Sequence, residues 1–228
     1  MLPQLEQQYQ TTVLDIPGYG KNISDTNTKN IDEIADALIP KIKKESIIGG
    51  WSLGGMLAIR IASKLKERIR ALVLIASTPC FVKKRDWPHG VDVTMIEEMS
   101  ARIICGEKEK VLKEFALLVA KGDVVSKKII RQLHSLLTSN LSNENALVYG
   151  LDILMKADLR EELQQLKSTI VLLQPENDQL IMKSTGEAVK KINPGLRLEY
   201  IKASGHAPFL SSPKELCNIL NSCLGDIH

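Results

Sequence analysis

Apolar residues in this chain change period several times, and each change marks an element. Thr11 to Leu14 is a short β-branched run ahead of the Pro17-Gly18 turn, which predicts a strand. Ile31, Ile34, Ala35, Leu38, Ile39 and Ile42 recur at helical spacing and predict a helix over 32–43. Ile47-Ile48 predicts a very short buried strand and Met56 to Leu65 a helix. The continuous run Ala71–Ala76 (ALVLIA) predicts a strand buried on both faces. The alternation stops near Ser77. Between Pro79 and Gly150 only helical patterns recur, around 93–104, 107–119, 126–137 and 146–155. It resumes with a strand at Thr169–Leu173, a helix over 183–191, a strand at Leu196–Ile201 and a last helix over 213–224.

Strands and helices alternating in this way predict an α/β fold, a mostly parallel sheet with helices on both faces. The helical stretch reads as an insertion of about seventy residues, enough for a small lid. The chain is therefore divided into core residues 1–79, a lid at 80–150 and core residues 151–228.

Composition narrows the classes. The 228 residues are 44% hydrophobic and 25% charged with a net charge of +3. These are the values of a soluble globular chain, and the charge does not point to nucleic acid. No apolar run reaches the ~18–20 residues of a membrane span, and MLPQLEQQYQ does not read as a secretory signal. Cys80, Cys105, Cys217 and Cys223 form no CxxC pair, so structural thiols in a reducing cytoplasm are expected. His89, His134, His206 and His228 share no i, i+4 spacing with one another or with a glutamate, so neither a metal nor another cofactor is expected.

Gly50-Trp51-Ser52-Leu53-Gly54 matches GxSxG, with Gly49 and Gly55 flanking it. Such a match is weak alone, but this one lies between a predicted strand and a predicted helix, the context of a nucleophile elbow. A serine on so sharp a turn needs neighbours at −2 and +2 that are nearly free of side chain. The following helix would aim its positive end at Ser52, and the Leu53 N–H would serve an oxyanion hole. The bland alternative is a glycine-rich turn with an idle serine.

A serine hydroxyl needs a base, and the base an orienting carboxylate. With this kind of elbow the chain order is serine, acid, histidine, the last two on loops after late strands. His206 follows the last predicted strand, whereas His89 starts the insertion, His134 falls on one of its helices and His228 ends the chain. Asp178 follows TIVLLQPEN at the end of the preceding strand, with Glu176 a competing neighbour. Asp152 and Asp158 fall in a helical stretch. The candidate triad is Ser52, Asp178 and His206, working through an acyl-enzyme.

GWSLGG, ALVLIASTPCF, the pair Trp87-Pro88, GLDILMKADLR and GHAPFLSSPKELC together resemble the pimeloyl-[acyl-carrier protein] methyl ester esterases of biotin synthesis, from about Val13 to the C-terminus. The resemblance implies an α/β-hydrolase fold and hydrolysis of pimeloyl-carrier-protein methyl ester with release of methanol. By position it implies Ser52, Asp178 and His206 as triad and Leu53 as oxyanion donor. It further implies substrate contacts from Trp51, Ser52, Leu53, His206 and the stretch Phe115, Ala116, Leu117, Leu118 and Val119. A basic lid face toward the acidic carrier protein is also implied. From Lys108 to Arg131 seven basic residues stand against three acidic ones. Lys110, Lys127 and Arg131 fall where the family has basic contacts, and Lys113 is close. Lysine in place of arginine loses bidentate geometry and keeps the steering charge. A solvated helix face would explain the same charges, and core packing the same apolar positions around Phe115. Neither nucleic acid nor membrane is expected as a partner, and a monomer is expected.

One part of the family pattern is missing. Its members begin with a strand hairpin, a third strand and an HGxG loop that supplies a second oxyanion N–H. Here MLPQLEQQY reads as the tail of the helix that would follow that loop. The block would be about 30–45 residues at ordinary element lengths. One oxyanion donor is typically worth ~10²–10³ in rate. The expectation is a reading frame that starts upstream of Met1; the alternative is a truncated, impaired hydrolase. Two other functions stay open, a general short-chain carboxylesterase on the same fold and a non-catalytic remnant that binds a carrier protein.

Overall fold

A computed structural model describes residues 1–25, 27–139 and 143–225. Four strands, β1 (Ser46–Trp51), β2 (Ile69–Ile75), β3 (Thr169–Pro175) and β4 (Arg197–Ile201), pair in parallel in the order β1-β2-β3-β4. Gly50 stands opposite Leu74, Leu74 opposite Leu172 and Leu172 opposite Leu198, so all four carboxyl ends open on one edge of the sheet. Sites in open parallel sheets form along that edge.

The period of two sends alternate strand residues to two cores. Leu72, Leu74, Ile170 and Leu172 face the larger one, which α2 (Ile31–Leu38), α3 (Leu53–Leu65), α8 (Arg160–Gln165) and α9 (Lys183–Ile192) help to close. Ala71, Val73, Ile75, Val171 and Leu173 face a smaller one. It is sealed by α11 (Pro213–Leu224) and by Met1 and Leu5 at α1 (Leu2–Leu5). β2 and β3 are buried on both faces, as their unbroken apolar runs demand, while β1 is half-exposed.

Two expectations change. Thr11–Leu14 has no regular secondary structure and joins no ladder among the described residues, and Val13 is 65% exposed. β-branched residues favour a strand only when a neighbouring strand supplies partners, and here only Leu14 and Ile16 reach the core. The helix predicted to Lys43 ends at Leu38, where Ile39–Lys41 tightens into a 3₁₀ turn around Pro40. Its start is well specified: the Asn30 side chain accepts from the Asp32 and Glu33 N–H groups, both at 3.0 Å.

Between β2 and β3 lie α4 (Val93–Ile104), α5 (Lys108–Ala120), α6 (Ser126–Ser139) and α7 (Glu144–Lys156). Residue 150 falls inside α7. Tyr19 meets α7 by donating to the Ala146 carbonyl at 2.9 Å, and burial pushes its phenol up to about 12. The outgoing and returning chain are tied at the stem. Leu159 N–H donates to Pro79 O at 2.8 Å, and the Trp87 indole donates to Cys80 O at 2.9 Å. Around them Asp158 accepts from Arg160 at 2.7 and 2.8 Å and pairs with Lys84 at 3.0 Å, while Arg160 stacks over the Trp87 ring. The Arg160 guanidinium, helped by Lys84, holds the Asp158 carboxyl down to about 2. No helix among the described residues is long and apolar enough to cross a membrane.

Candidate active site

β1 runs into α3 through Ser52, whose backbone lies at φ 53°, ψ −120°. A non-glycine residue there is strained, and such strain is held only when its surroundings over-determine it. Ser52 N–H donates to Ile75 O at 3.0 Å, and its carbonyl accepts from the Ser77 hydroxyl at 2.8 Å. The glycine requirement is real but shifted by one residue on one side. A Cβ on Gly50 would sit 2.1 Å from Gly54 O, as expected at −2. At +2, Gly54 would meet nothing within 4 Å, whereas a Cβ on Gly55 would sit 2.3 Å from the Ser77 hydroxyl. Gly54 therefore serves by its closely approached backbone, and Gly55 supplies the room. Ser77 itself was not singled out from the sequence; a small polar residue directly after a buried strand was the available signal.

The start of α3 differs from those of α2, α4 and α7, where Asn30, Asp92 and Asn143 side chains accept from first-turn amides. At α3 no side chain caps the helix. The Leu53 N–H has no backbone acceptor among the described residues, which leaves a donor at the positive end of the helix. No HGxG sequence occurs in the 228 residues.

Asp178 lies just beyond β3 and His206 just beyond β4, and both are buried. His206 Nδ1 and Asp178 Oδ2 are 2.8 Å apart. The other carboxyl oxygen, Oδ1, accepts from the Leu180 and Ile181 N–H groups at 2.8 and 3.0 Å, which fixes the carboxyl plane. His206 Nε2 is buried and has no hydrogen-bond partner among the described residues. A buried nitrogen left unpaired in this way is costly unless a reacting group completes it. Glu176, the competing acid, instead pairs with Lys183 at 2.9 Å.

Trp51 is placed differently from a simple channel wall. Its indole N–H donates to His206 O at 2.7 Å, and its ring lies 5.4 Å from the imidazole and 4.9 Å from Phe209 at the start of α10 (Pro208–Ser211). Residues 115–119 spread around α5 instead of lining one surface. Ala116 and Val119 are buried, Phe115 and Leu118 pack on the larger core, and Leu117 is 47% exposed. A narrow cavity of about 20 Å³ touches Leu53, with Tyr19, Leu57, Ala146, Tyr149 and Gly150 among its walls. That is room for about one water.

The basic lid residues separate as well. Lys113 and Arg131 meet at a groove of about 340 Å³ between α5 and α6, with Ala116, Leu117, Ile130 and His134. Lys127 stands one turn before Arg131, whose Nε donates to Lys127 O at 3.3 Å, and Lys110 is paired with Glu107 at 3.6 Å. His134 joins this face without having been singled out. The spacing of 127, 131 and 134 on one helix was its signal.

Comparison with known proteins bears on the fold and the family. The family model described as alpha/beta hydrolase fold matches residues 1–97. The pimeloyl-[acyl-carrier protein] methyl ester esterase of Nitrosomonas europaea is 31% identical over 226 residues, covering 97% of this chain and 88% of that one. The esterase of the same name from Stenotrophomonas maltophilia is 30% identical over 96% of this chain and 84% of its own. Among solved structures, an esterase from Exiguobacterium antarcticum superposes with a TM-score of 0.86 at 21% identity, covering 99% of this chain and 85% of that one. Sequence and fold agree, and the chain belongs to the pimeloyl-[acyl-carrier protein] methyl ester esterase family of α/β-hydrolases, enzymes that hydrolyse carboxylic esters.

Proposed function

We propose that this protein hydrolyses the methyl ester of a pimeloyl chain carried on acyl carrier protein, with Ser52 as nucleophile, His206 as base and Asp178 as its orienting acid. The observation that carries this reading is the buried Asp178–His206 pair with its outer nitrogen unpaired, next to Trp51, whose chain neighbour Ser52 is held on a strained elbow. Ser52 Oγ attacks the ester carbonyl while His206 Nε2 takes its proton, and Asp178 accepts from Nδ1–H. Leu53 N–H donates to the oxyanion. Collapse breaks the carbon–methoxy bond, His206 returns the proton, and methanol leaves. Water, deprotonated by His206, then attacks the acyl-enzyme and releases the free acid on the carrier and Ser52. No cofactor enters these steps. The carrier itself would meet the lid at Lys110, Lys113, Lys127 and Arg131, and the acyl chain would pass Trp51 and the exposed part of 115–119.

The test compares purified protein and Ser52→Ala on pimeloyl-carrier-protein methyl ester and on p-nitrophenyl butyrate. The reading expects the carrier ester to be preferred in kcat/KM and both activities to vanish in Ser52→Ala with the thermal melt preserved. Turnover by Ser52→Ala near the parent rate overturns the triad. Equal or better use of the short ester favours a general carboxylesterase. Rescue of biotin-free growth in a strain lacking its esterase is expected of the parent and not of Ser52→Ala.

A further inference from the structure

The loop that carries His206 is held from the lid. Asp123, in the turn between α5 and α6, is 7% exposed, and its Oδ2 accepts from Gly205 N–H at 3.0 Å. Its Oδ1 accepts from Val125 N–H at 3.0 Å, within the same turn. The carboxyl group thus bridges two backbone donors, one in the lid and one, buried, in the residue before His206. The approach is close on both sides. A Cβ on Gly205 would lie 3.1 Å from Lys121 O and 3.3 Å from Val119 O. Gly122, at φ +88°, adopts a conformation that suits glycine, and a Cβ there would lie 2.1 Å from Asn177 O, next to Asp178. The acid and base loops are themselves joined, since Asn177 N–H donates to Ser204 O at 3.1 Å. One lid turn therefore touches the loops of both Asp178 and His206.

We propose that Asp123 is a positioning residue for the base, and so for catalysis by the site described above, on whose reading this inference rests. His206 is fixed at three points. Trp51 donates to its carbonyl, Asp178 takes its ring, and Asp123 holds the amide before it. Rotating that amide by releasing Gly205 swings the imidazole away from Ser52 and from Asp178 together. The lid is thereby part of the catalytic geometry as well as a cover. A displacement of about 1 Å in a reacting group can cost ~10²-fold in rate.

The experiment measures Asp123→Ala, Asp123→Asn and Ser52→Ala on p-nitrophenyl butyrate, with thermal melts and the low-field proton signal of His206 Nδ1–H. Asp123→Ala is expected to lower kcat by about 10- to 100-fold with KM within about twofold, and to shift or broaden that signal. Asp123→Asn keeps one acceptor and places an NH₂ against the other N–H, so its kcat should fall between the two. Folded Asp123 variants with parent kcat and an unchanged signal overturn the proposal. A lowered melt with unchanged kcat also overturns it, because that is what a purely structural tie would give. If Asp123→Ala does not fold, the Asn variant is judged by the same criteria. An inactive Ser52→Ala beside a normal Asp123→Ala removes only the role of Asp123. An active Ser52→Ala removes the triad itself.

Discussion

The sheet edge and the lid treat charge in opposite ways. At the edge, Asp178 and His206 are buried, and three donors converge on one carboxyl group. On the lid, Lys110, Lys113, Lys127 and Arg131 lie exposed, and the contacts of Lys110 and Arg131 are with their own helix or its cap. A group fixed in a low-dielectric interior acts on a bound substrate and is barely screened. Exposed cations act at a distance on an approaching anionic partner, and salt weakens them over about 8–10 Å. On the proposed reading, the edge acts on kcat and the lid face on KM.

The sharpest break in that assignment would come from Asp178→Asn. The amide can still accept from Leu180 and Ile181 through its oxygen, so the loop should keep its shape. Its NH₂ then faces His206 Nδ1 and selects the wrong imidazole tautomer. Loss of kcat by about 10⁴-fold is expected, equal for the carrier ester and a short ester and insensitive to salt. A loss confined to the carrier ester would erase the distinction between edge and lid.

The complementary change reverses Lys127 and Arg131 to Glu. KM for the carrier-protein ester should rise by about tenfold at low ionic strength, the scale of 1.4 kcal/mol, with kcat retained. The defect should shrink in high salt, and p-nitrophenyl butyrate should be cleaved at parental rates. A salt-independent fall on both esters would place these residues in the fold rather than on a docking face.

Much of the edge was legible in the sequence because its signals are local. Ser52 sits between an apolar run and a helical pattern, Asp178 follows a strand whose apolar run is unbroken because both faces are buried, and His206 follows the last strand, β4. What escaped was non-local. Ser77 matters through Gly55, which is distant in sequence but touches it in space, and Asp123 matters through an amide 82 residues away. Neither partner carries a spacing that a linear pattern could show. Thr11–Leu14 failed for the converse reason: its residues suit a strand, but strand formation is a property of a pair. The stretch 115–119 reads as one segment in sequence, yet 100° per residue around α5 sends its members to different surroundings.

The smallest effect on catalysis belongs to the stem that joins the two regions. Asp158 pairs with Arg160 and Lys84 where the lid leaves and re-enters the core, and none of these groups touches the triad. Arg160 holds the Asp158 carboxyl down to about 2, below the ordinary value of 3.8. A carboxyl depressed in the folded state stabilises the protein fully above its unfolded value, and that contribution disappears as pH falls through the folded one. Solvent screening of this partly exposed pair reduces the corresponding stability to on the order of 1 kcal/mol at neutral pH. Asp158→Asn should therefore lower the melting temperature at pH 7 by roughly 2–4 °C for a chain of this size. The gap should be constant from pH 7 to about pH 5 and narrow between about pH 4 and pH 2, as the parent loses its own ion pair. At pH 7 and 25 °C, kcat on a short ester should stay at the parental value. A gap that persists unchanged to pH 2 would mean that Asn fails there through packing, and a fall in kcat would mean that the stem, like Asp123, transmits the position of the lid to the base.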